Sequence, residues 1–503
     1  MALAKKNNKA FDKPTRQSYV AIVIIIYKLY KGLIRQLFPI LILFLVGKKG
    51  STVDYMTIGL GAIAIFGSIF GVVSFFKYYF HLDEDELIIQ KGVFQKKNIN
   101  IPFERIQTVD FSQNIIHQIF NVVALKIDTA GSAGTEFEFD ALSKDKAEAL
   151  RQLIFERKAA VEELNLDETE KITVQETEIQ KPILNLAPGR LLLVGITENH
   201  FKSFGLILVF GFWILDSFDK FGYGWDFLQD NIDSAGAIFA GLAMVLSLAI
   251  FLMILSMIIS LVRTVLQYFD LKFVRQGKGF KVTSGLITRR EIADMDNKIQ
   301  ILQWSRNVLQ KFLGFFEIHL KQASSIAVNN KKSIKVPGAS IDQVYEVQKY
   351  LYPESHLKFE NLFKVSQHFF TRPAIYIFSI GVIHLTIMFL AGSTRYIIPV
   401  FLVYTFLLIS RYFKYKKTAY QFNDTMLKIN GGTYGHDFTL MPIHKIQNIQ
   451  KKQNYYQRRR DLASVVIHTA SGKVGIPYIS NQSAEDLMDL FIHKVETSTQ
   501  YWM

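Results

Sequence analysis

Few side chains in this sequence of 503 residues are arranged in a way that could perform chemistry. There is no cysteine, which excludes thiol chemistry and cysteine-ligated metal sites. The sequence has no Walker-type phosphate loop, no Gly-x-Ser-x-Gly turn and no His-Glu-x-x-His motif. His436, His444 and His468 lie close together in sequence but lack the spacing of metal ligands on one helix. We therefore expect no catalytic residue, no metal site and no cofactor, and the chain is not predicted to be an enzyme.

One ionisable side chain, that of His384, lies in the middle of an otherwise apolar stretch, GVIHLTIMF. An ionisable group inside a membrane span is costly and is a functional candidate for that reason. The alternative is a neutral imidazole that forms a hydrogen bond with a neighbouring helix. No acidic relay accompanies His384 in the other apolar stretches. This favours the second interpretation.

Basic side chains form the other candidate site. The chain carries 58 Lys and Arg against 44 Asp and Glu, a net charge of +14. Such a balance can indicate nucleic-acid binding, but in a membrane protein Lys and Arg collect on the cytoplasmic side, so no nucleic acid is expected. The clusters either contact anionic headgroups or an acidic partner, or form an ordinary solvated surface. They comprise Arg289, Arg290, Lys414, Lys416, Lys417, Lys451, Lys452, Arg458, Arg459 and Arg460.

The basic clusters lie in a sequence that occurs three times. The pair Ile106-Gln107 recurs as Ile299-Gln300 and as Ile446-Gln447, at offsets of 193 and 147 residues. A glycine, an asparagine and an alanine recur at the same offsets without a gap. A repeat of this length is a whole domain rather than a solenoid unit. Two prolines shortly before the Ile-Gln pairs and one turn glycine complete the signature. Besides the Ile-Gln pairs, it comprises Gly92, Pro102, Asn114, Ala130, Gly285, Asn307, Gly314, Ala323, Gly432, Pro442, Asn454 and Ala470.

The sequence pattern of each copy predicts several strands followed by a helix. In copy one, INIPFERIQTVDF alternates apolar and polar residues as a half-buried strand does, and VVALKID and TEFEFDAL follow around a turn. The closing segment is amphipathic, and Ser143, Ser340 and Ser480 are predicted to cap the closing helices of the three copies.

Apolar stretches precede each copy and are long enough to predict membrane spans. Residues 56–76 and 235–262 are the clearest of them. Lys77, Arg263 and Arg411 follow the second stretch of each pair, and this asymmetry predicts that all three copies face the cytoplasm.

At the repeated stretch the sequence resembles the membrane-flanked bacterial pleckstrin-homology-like (PH-like) family, the YdbS/YdbT-like proteins. The resemblance rests on Ile101-Pro102 before Ile106-Gln107, on Thr129-Ala130-Gly131, on Leu313-Gly314, and on Met441-Pro442 and Thr469-Ala470. Copy two has Met295 in place of the proline. Asn121 and Asp461 replace the turn glycine in copies one and three, and both residue types tolerate a left-handed backbone.

The resemblance implies a fold class. We expect a multi-domain membrane protein with about six transmembrane helices in three pairs, each pair followed by a cytoplasmic PH-like antiparallel β-sandwich or barrel with a C-terminal capping helix. The predicted segments are a basic tail (1–16), an interfacial helix and span pair (17–76), a PH-like domain (77–164), a linker (165–187), a second interfacial helix and span pair (188–262), a second domain (263–352), an interfacial segment and third pair (353–411) and a third domain (412–503).

The predicted function is a non-enzymatic scaffold in the bacterial cytoplasmic membrane. Its expected partners are the lipid bilayer and either further copies of itself or a small membrane-flanked PH-like protein, the latter being implied by the resemblance alone. No small-molecule substrate is identified. The alternative is a lipid-handling or transport protein that uses a bundle of six helices.

Overall fold

A computed structural model describes residues 11–46, 51–83, 85–129, 135–164, 182–198, 235–277, 279–323, 333–353, 359, 361–392 and 397–498. The chain divides into two compact units. Unit 1 comprises Met1–Ile179 with Ile287–Asp294 and Ser325–Asn330, and unit 2 comprises Gln180–Leu286, Met295–Ser324 and Lys331–Met503. The middle copy of the repeat therefore contributes to both units.

Copy one follows two helices. Its elements are α1 (Val20–Val46), α2 (Ser51–Phe76), β1 (Tyr79–Leu82), β2 (Glu86–Lys91), β3 (Lys97–Pro102), β4 (Ile106–Gln113), α3 (Ile115–Ile119), β5 (Val122–Thr129), β6 (Thr135–Ser143) and α4 (Lys144–Leu164).

Copy two begins with a short strand that lies in the predicted linker. Its elements are β7 (Leu184–Asn185), α5 (Pro188–Thr197), α6 (Ala235–Tyr268), β8 (Lys272–Gln276), β9 (Gly279–Ser284), β10 (Arg289–Met295), β11 (Ile299–Arg306), α7 (Val308–Leu313), β12 (Phe316–Gln322), β13 (Ser333–Ala339) and α8 (Ile341–Leu351).

Copy three has the same order of elements. They are β14 (Phe363–Lys364), α9 (His368–Leu390), α10 (Ile397–Lys417), β15 (Ala419–Phe422), β16 (Met426–Gly431), β17 (His436–Pro442), β18 (Ile446–Lys452), α11 (Tyr455–Arg459), β19 (Leu462–Thr469), β20 (Gly472–Ser480) and α12 (Asn481–Glu496).

Unit 1 contains a sheet with the order β1-β2-β3 and a set of strands in the order β6-β5-β4-β10. All described pairings are antiparallel. The inward residues of these strands and one face of α4 form a single core, which includes Phe80, Leu125, Phe139 and Leu150. Alternation along β5 and β6 places Leu125 and Phe139 on one face of the sheet.

In unit 2, β7 pairs with β8 and β8 with β9. A second sheet has the order β13-β12-β11-β17-β16-β15-β14, and a third has the order β18-β19-β20. The core of copy three lies between the strands and α12, where Leu427, Val465, Ile467 and Phe491 are fully buried. Burial of such apolar area is the main stabilising contribution to each copy.

The closing helices begin as predicted in two copies. The hydroxyl of Ser340 accepts a hydrogen bond from the backbone N–H of Gln343, and that of Ser480 accepts one from Ser483. These caps satisfy N–H groups that the first turn of a helix leaves without a partner. The predictions for Ser340 and Ser480 are confirmed.

The prediction of about six transmembrane helices in three pairs is wrong. Two helices among the described residues are long and apolar enough to cross a membrane, Ile250–Tyr268 within α6 and His368–Leu390, with mean hydropathies of 2.1 and 2.0. A shorter apolar stretch, Gly61–Phe76, lies among the residues of α2 whose side chains the structure describes, and α5 has ten residues. At 1.5 Å per residue, α5 extends about 15 Å, half the thickness of the hydrocarbon layer.

Two further apolar helices carry charged side chains. Lys28 of α1 forms an ion pair of 3.0 Å with Glu138 of β6, so this part of the helix lies against the sheet rather than in lipid. The last turn of α10 carries Lys414, Lys416 and Lys417, which shortens its apolar segment. Residues 199–234, which include a predicted span, lie outside the described residues. The alternative function, a lipid-handling or transport protein, stays a prediction.

Candidate assembly site

The recurring glycine begins the turn between the second and third strands of each copy. Gly92, Gly285 and Gly432 have φ values of +120°, +111° and +105°. A Cβ atom on Gly92 would lie 1.9 Å from the carbonyl oxygen of Gln95. Only glycine adopts this backbone without strain. The signature glycine therefore fixes the direction in which the third strand leaves the turn.

The third strand ends at Pro102 in copy one and at Pro442 in copy three, with Met295 at the equivalent position in copy two. One turn of 3-10 helix follows in each copy, at Phe103–Arg105, Asp296–Lys298 and Ile443–Lys445. This turn connects the third strand to the fourth.

The Ile-Gln pair then starts the fourth strand and marks a β-bulge. Pairing with the fifth strand shifts between Ile106 and Thr108, between Ile299 and Ile301, and between Ile446 and Asn448, so each signature glutamine is the extra residue. The three isoleucines are buried. A bulge bends a strand and increases its twist. Beyond the bulge the fourth strand remains paired with the fifth strand of its own copy.

The recurring asparagine ends the fourth strand by capping a short helix. The Oδ1 atoms of Asn114, Asn307 and Asn454 accept hydrogen bonds of 3.0, 2.8 and 2.9 Å from backbone N–H groups three residues later. The side chains of the residues at those later positions, His117, Gln310 and Gln457, accept a hydrogen bond from the backbone N–H of the asparagine. This is a capping box. The asparagines recur visibly in the sequence but their capping role was not predicted, although the Asn-x-x-Gln spacing of copies two and three signals it.

The short helices end in a left-handed residue, as expected. Asn121, Gly314 and Asp461 have φ values of +50°, +71° and +51°. The prediction that Asn121 and Asp461 preserve the glycine turn is confirmed.

The recurring alanine follows the fifth strand. Ala323 donates its N–H to the carbonyl oxygen of Lys298 at 2.8 Å, and Ala470 lies in the turn between β19 and β20. Ala130 and the side chain of Gln107 lie outside the described residues.

The third strand of copy two pairs with the fourth strand of copy one within unit 1. In this first junction Arg289 lies opposite Gln113, Arg290 opposite Ser112 and Glu291 opposite Phe111. Arg151 of α4 adds an ion pair of 2.6 Å with Glu291, and its guanidinium lies 4.5 Å from the ring centre of Phe111. Both partners of this ion pair are partly buried, which reduces screening by solvent.

The third strand of copy three pairs with the fourth strand of copy two in the same way. In this second junction Leu440 lies opposite Leu302, Phe438 opposite Trp304 and His436 opposite Arg306, and the rings of Trp304 and Phe438 stack at 5.3 Å. The two backbones come close at one end, because a Cβ atom on Gly435 would lie 2.2 Å from the carbonyl oxygen of Arg306.

The two junctions have an identical register. Arg289 lies opposite Gln113 in the first, and His436 lies opposite Arg306 in the second. The offset of 193 residues takes Gln113 to Arg306, and the offset of 147 residues takes Arg289 to His436. The two pairs are therefore equivalent. The signature residues thus build a pair of edges, on the third and fourth strands, through which neighbouring copies bind each other.

A buried lysine crosses the second junction. Lys445, in the 3-10 turn of copy three, donates hydrogen bonds of 2.9 and 2.7 Å to the carbonyl oxygens of Asn297 and Ile299. Its exposed fraction is 7 %. Burial lowers the pKa of Lys445 from 10.5 to about 8, because the charged form is desolvated, while the nearby Asp296 carboxylate opposes this shift.

The lowered pKa gives a testable pH dependence. Between pH 8 and 10.5 the unfolded chain holds a proton on Lys445 that the folded chain releases, so stability rises with pH across this window. From pH 7.5 to pH 10, the free energy of unfolding of unit 2 should rise in the wild type. This rise should be about 2–3 kcal/mol larger than in Lys445→Met, which has no amine to titrate. Limited proteolysis across a urea series at pH 7.5 and pH 10, followed at cleavage sites within unit 2, measures the difference in both proteins. Parallel changes in the two proteins would contradict the assignment.

The basic candidates occupy distinct elements. Arg289 and Arg290 are exposed on β10, and Arg458, Arg459 and Arg460 are exposed at the end of α11. Lys417 donates hydrogen bonds of 2.7 and 2.8 Å to the carbonyl oxygens of Tyr434 and Gly435, in the turn before β17. Lys414 and Lys416 lie over the rings of Phe369 and Tyr412. Lys451 and Lys452 lie on β18, where Lys451 pairs with Glu485 at 2.6 Å.

His384 contacts the neighbouring helix. Its Nδ1 atom lies 3.2 Å from the hydroxyl oxygen of Tyr404, and a Cβ atom on Gly381 would lie 3.0 Å from the ring of Tyr404. α9 and α10 thus pack closely around one tyrosine, whose hydroxyl shares a hydrogen bond with the imidazole of His384. This arrangement agrees with the interhelical interpretation of His384.

The sequence profile of the bacterial PH domain matches residues 36–158, 234–355 and 375–495. The chain belongs to the bacterial PH domain family. It is 23 % identical over 471 residues to the UPF0699 transmembrane protein YdbT of Bacillus subtilis strain 168, covering 90 % of this chain and 92 % of that protein. It is 33 % identical over 100 residues to the UPF0699 transmembrane protein YdbS of the same organism, covering 19 % of this chain and 61 % of that protein.

These comparisons agree with the repeat and with the apolar helices. The chain is a membrane protein with three bacterial PH domains, and its resemblance to the YdbS/YdbT-like proteins is confirmed. Both relatives are named transmembrane proteins, which fits the two helices long enough to cross a membrane.

Proposed function

We propose that this protein is a non-enzymatic scaffold of the bacterial cytoplasmic membrane, in which PH domains join edge to edge and present their remaining edges to partners. The observation that carries this proposal is the common register of the two junctions. A repeated docking geometry is what an assembly surface requires, since each copy offers the same pair of strands. Main-chain hydrogen bonds supply the attachment, and side chains opposite each other supply the selectivity.

The charge distribution supports an orientation towards the cytoplasm. Lys77 follows α2, Arg263 lies near the end of α6 and Arg411 lies near the end of α10, where each chain segment enters the next PH domain. Cytoplasmic segments next to membrane helices carry an excess of such residues. The exposed Arg458, Arg459 and Arg460 fit contact with anionic headgroups on the same side.

Tethering to the membrane supports an assembly role in another way. Domains held on one surface have a high effective concentration, so that contacts of modest affinity are sufficient. The partners we propose are the lipid bilayer and either a second copy of the chain or a small membrane-flanked PH-like protein.

Affinity isolation from native membranes tests the proposal. The wild type should be recovered in a stoichiometric complex, with itself or with another protein. Leu440→Asp should lose the complex, because Leu440 is 1 % exposed at the second junction. The matched control is Tyr345→Asp, at a position of α8 that is 58 % exposed. A wild-type chain recovered alone, without partner or self-association, would overturn the scaffold function.

A further inference from the structure

Two junction edges have no strand beside them in the part of the chain that the structure describes. β3 is the last strand of the order β1-β2-β3 in unit 1, and β18 is the first of the order β18-β19-β20 in unit 2. β18 is a fourth strand, and the fourth strands of the other two copies, β4 and β11, each receive a third strand. By continuity with these junctions, β18 has the backbone of a receiving edge.

The side chains of β18 differ from those of the two occupied edges. Phe111 and Trp304, which lie within the junctions, correspond to Lys451 in copy three. Gln300 is fully buried in β11, whereas its equivalent Gln447 is exposed in β18. The open edge is polar, as expected of an edge that stays soluble until a partner arrives.

The register of the junctions identifies the charge that a partner strand needs. A strand placed on β18 in this register has one residue directly opposite Lys452 and the next opposite Lys451. Lys451 is already paired with Glu485. Among the described residues, Lys452 has no carboxylate within ion-pair distance, so it is the cation available to a partner.

A second copy of this chain fits the edge poorly. Its free third strand, β3, would place Lys97 opposite Lys452 and Asn98 opposite Lys451. Like charges directly opposite each other destabilise a strand pair. The third strand of copy three has Asp437 at the position of Lys97, which shows that this strand type accommodates an acidic residue there.

We propose that the open edge of β18 binds, in the register of the two internal junctions, the third strand of a PH domain in a different polypeptide, with a carboxylate opposite Lys452. This inference rests on the proposed scaffold function and specifies the surface and the partner. Binding adds one antiparallel strand to the sheet β18-β19-β20, so main-chain hydrogen bonds provide affinity and Lys452 provides charge selectivity.

Disulfide trapping tests this, because the chain has no cysteine of its own. The probe is a synthetic peptide with the sequence of residues 435–442, GHDFTLMP, in which the phenylalanine is replaced by cysteine. The full-length chain carries Lys451→Cys, directly opposite in the predicted register. The control peptide has its cysteine in place of the threonine, one position further along. In a thiol redox buffer, the yield of mixed disulfide between the chain and the first peptide should be about three- to tenfold higher than the yield with the control peptide.

Charge reversal provides the matched control. Replacing the aspartate of the peptide with lysine should reduce trapping about three- to tenfold, and Lys452→Glu in the chain should reverse this preference. Trapping that ignores both register and charge would overturn the inference. So would efficient disulfide-linked multimers of a chain carrying Asn98→Cys and Lys451→Cys, because a second copy would then be the occupant.

A final comparison separates this inference from the proposed function. If the native complex forms with the wild type and persists unchanged with Lys452→Glu, the scaffold stands but the β18 site is refuted. If the wild type forms no complex at all, the scaffold function itself fails. Loss of the complex with Lys452→Glu supports both.

Discussion

Replacement of Trp304 with alanine should lower the stability of the second junction by about 3–5 kcal/mol. Trp304 is 5 % exposed, stacks on Phe438 and lies 5.7 Å from the Lys428 ammonium. Its removal leaves a cavity between two PH domains and also deletes the cation–π contact. The loss should concentrate in β11 and β17, which this side chain joins.

Hydrogen exchange of backbone amides measures this effect locally, which matters because a chain of several domains does not unfold in two states. Protection of the β17 amides should fall by about two to four orders of magnitude. The control is Phe312→Ala in the same copy, at a side chain that is 83 % exposed, where protection should stay within about threefold. Equal effects of the two substitutions would mean that Trp304 does not join the copies.

Replacement of Phe491 with alanine should destabilise copy three by about 3–5 kcal/mol. Phe491 is fully buried on the inner face of α12, where its ring meets that of Phe422 edge to face at 5.8 Å. Ala484 and Leu487 lie on the same face at helical spacing. Truncation of the ring removes a buried contact between the closing helix and the sheet.

The adjacent residue offers a matched control. Ile492 is 41 % exposed on the outer side of α12, so Ile492→Ala should cost less than about 1 kcal/mol. Limited proteolysis across a urea series compares the two variants with the wild type. The midpoint for Phe491→Ala should shift strongly and that for Ile492→Ala only slightly. A similar shift for both variants would contradict the assignment of α12 as a capping helix.

The strands, turns and closing helices could be predicted because their determinants are local. The alternation around Ile106 and Ile299 predicts strands, and a serine before an amphipathic segment predicts a capped helix. The left-handed turns at Asn121 and Asp461 follow from residue type alone.

The junctions could not be predicted in the same way. Which strand edges meet is determined by main-chain groups that every residue carries, so the pairing of β10 with β4 has no pattern of its own. A signal existed in the comparison of copies, since Phe111 and Trp304 are aromatic where the open edge has Lys451. Strands of two residues, such as β7 and β14, are too short to show any periodicity.

Apolar composition alone overestimated the number of spans, since two helices among the described residues are both long and apolar enough to cross a membrane. Lys28 lies within an apolar segment, yet its ammonium binds carboxylates on β6, an interaction that places the helix beside a PH domain. Sequence distance hides such a contact, since Lys28 and Glu138 are 110 residues apart.

The central claim is that consecutive PH domains bind each other through a third strand and a fourth strand in a fixed register. Its most direct test is a disulfide between Ser305→Cys and Asp437→Cys, which lie opposite each other in the second junction. In the full-length chain in its native membrane, this pair should oxidise nearly completely within one molecule. The pair Ser305→Cys with His436→Cys, displaced by one residue, should not. Equal oxidation of both pairs, or of neither, would contradict the shared register.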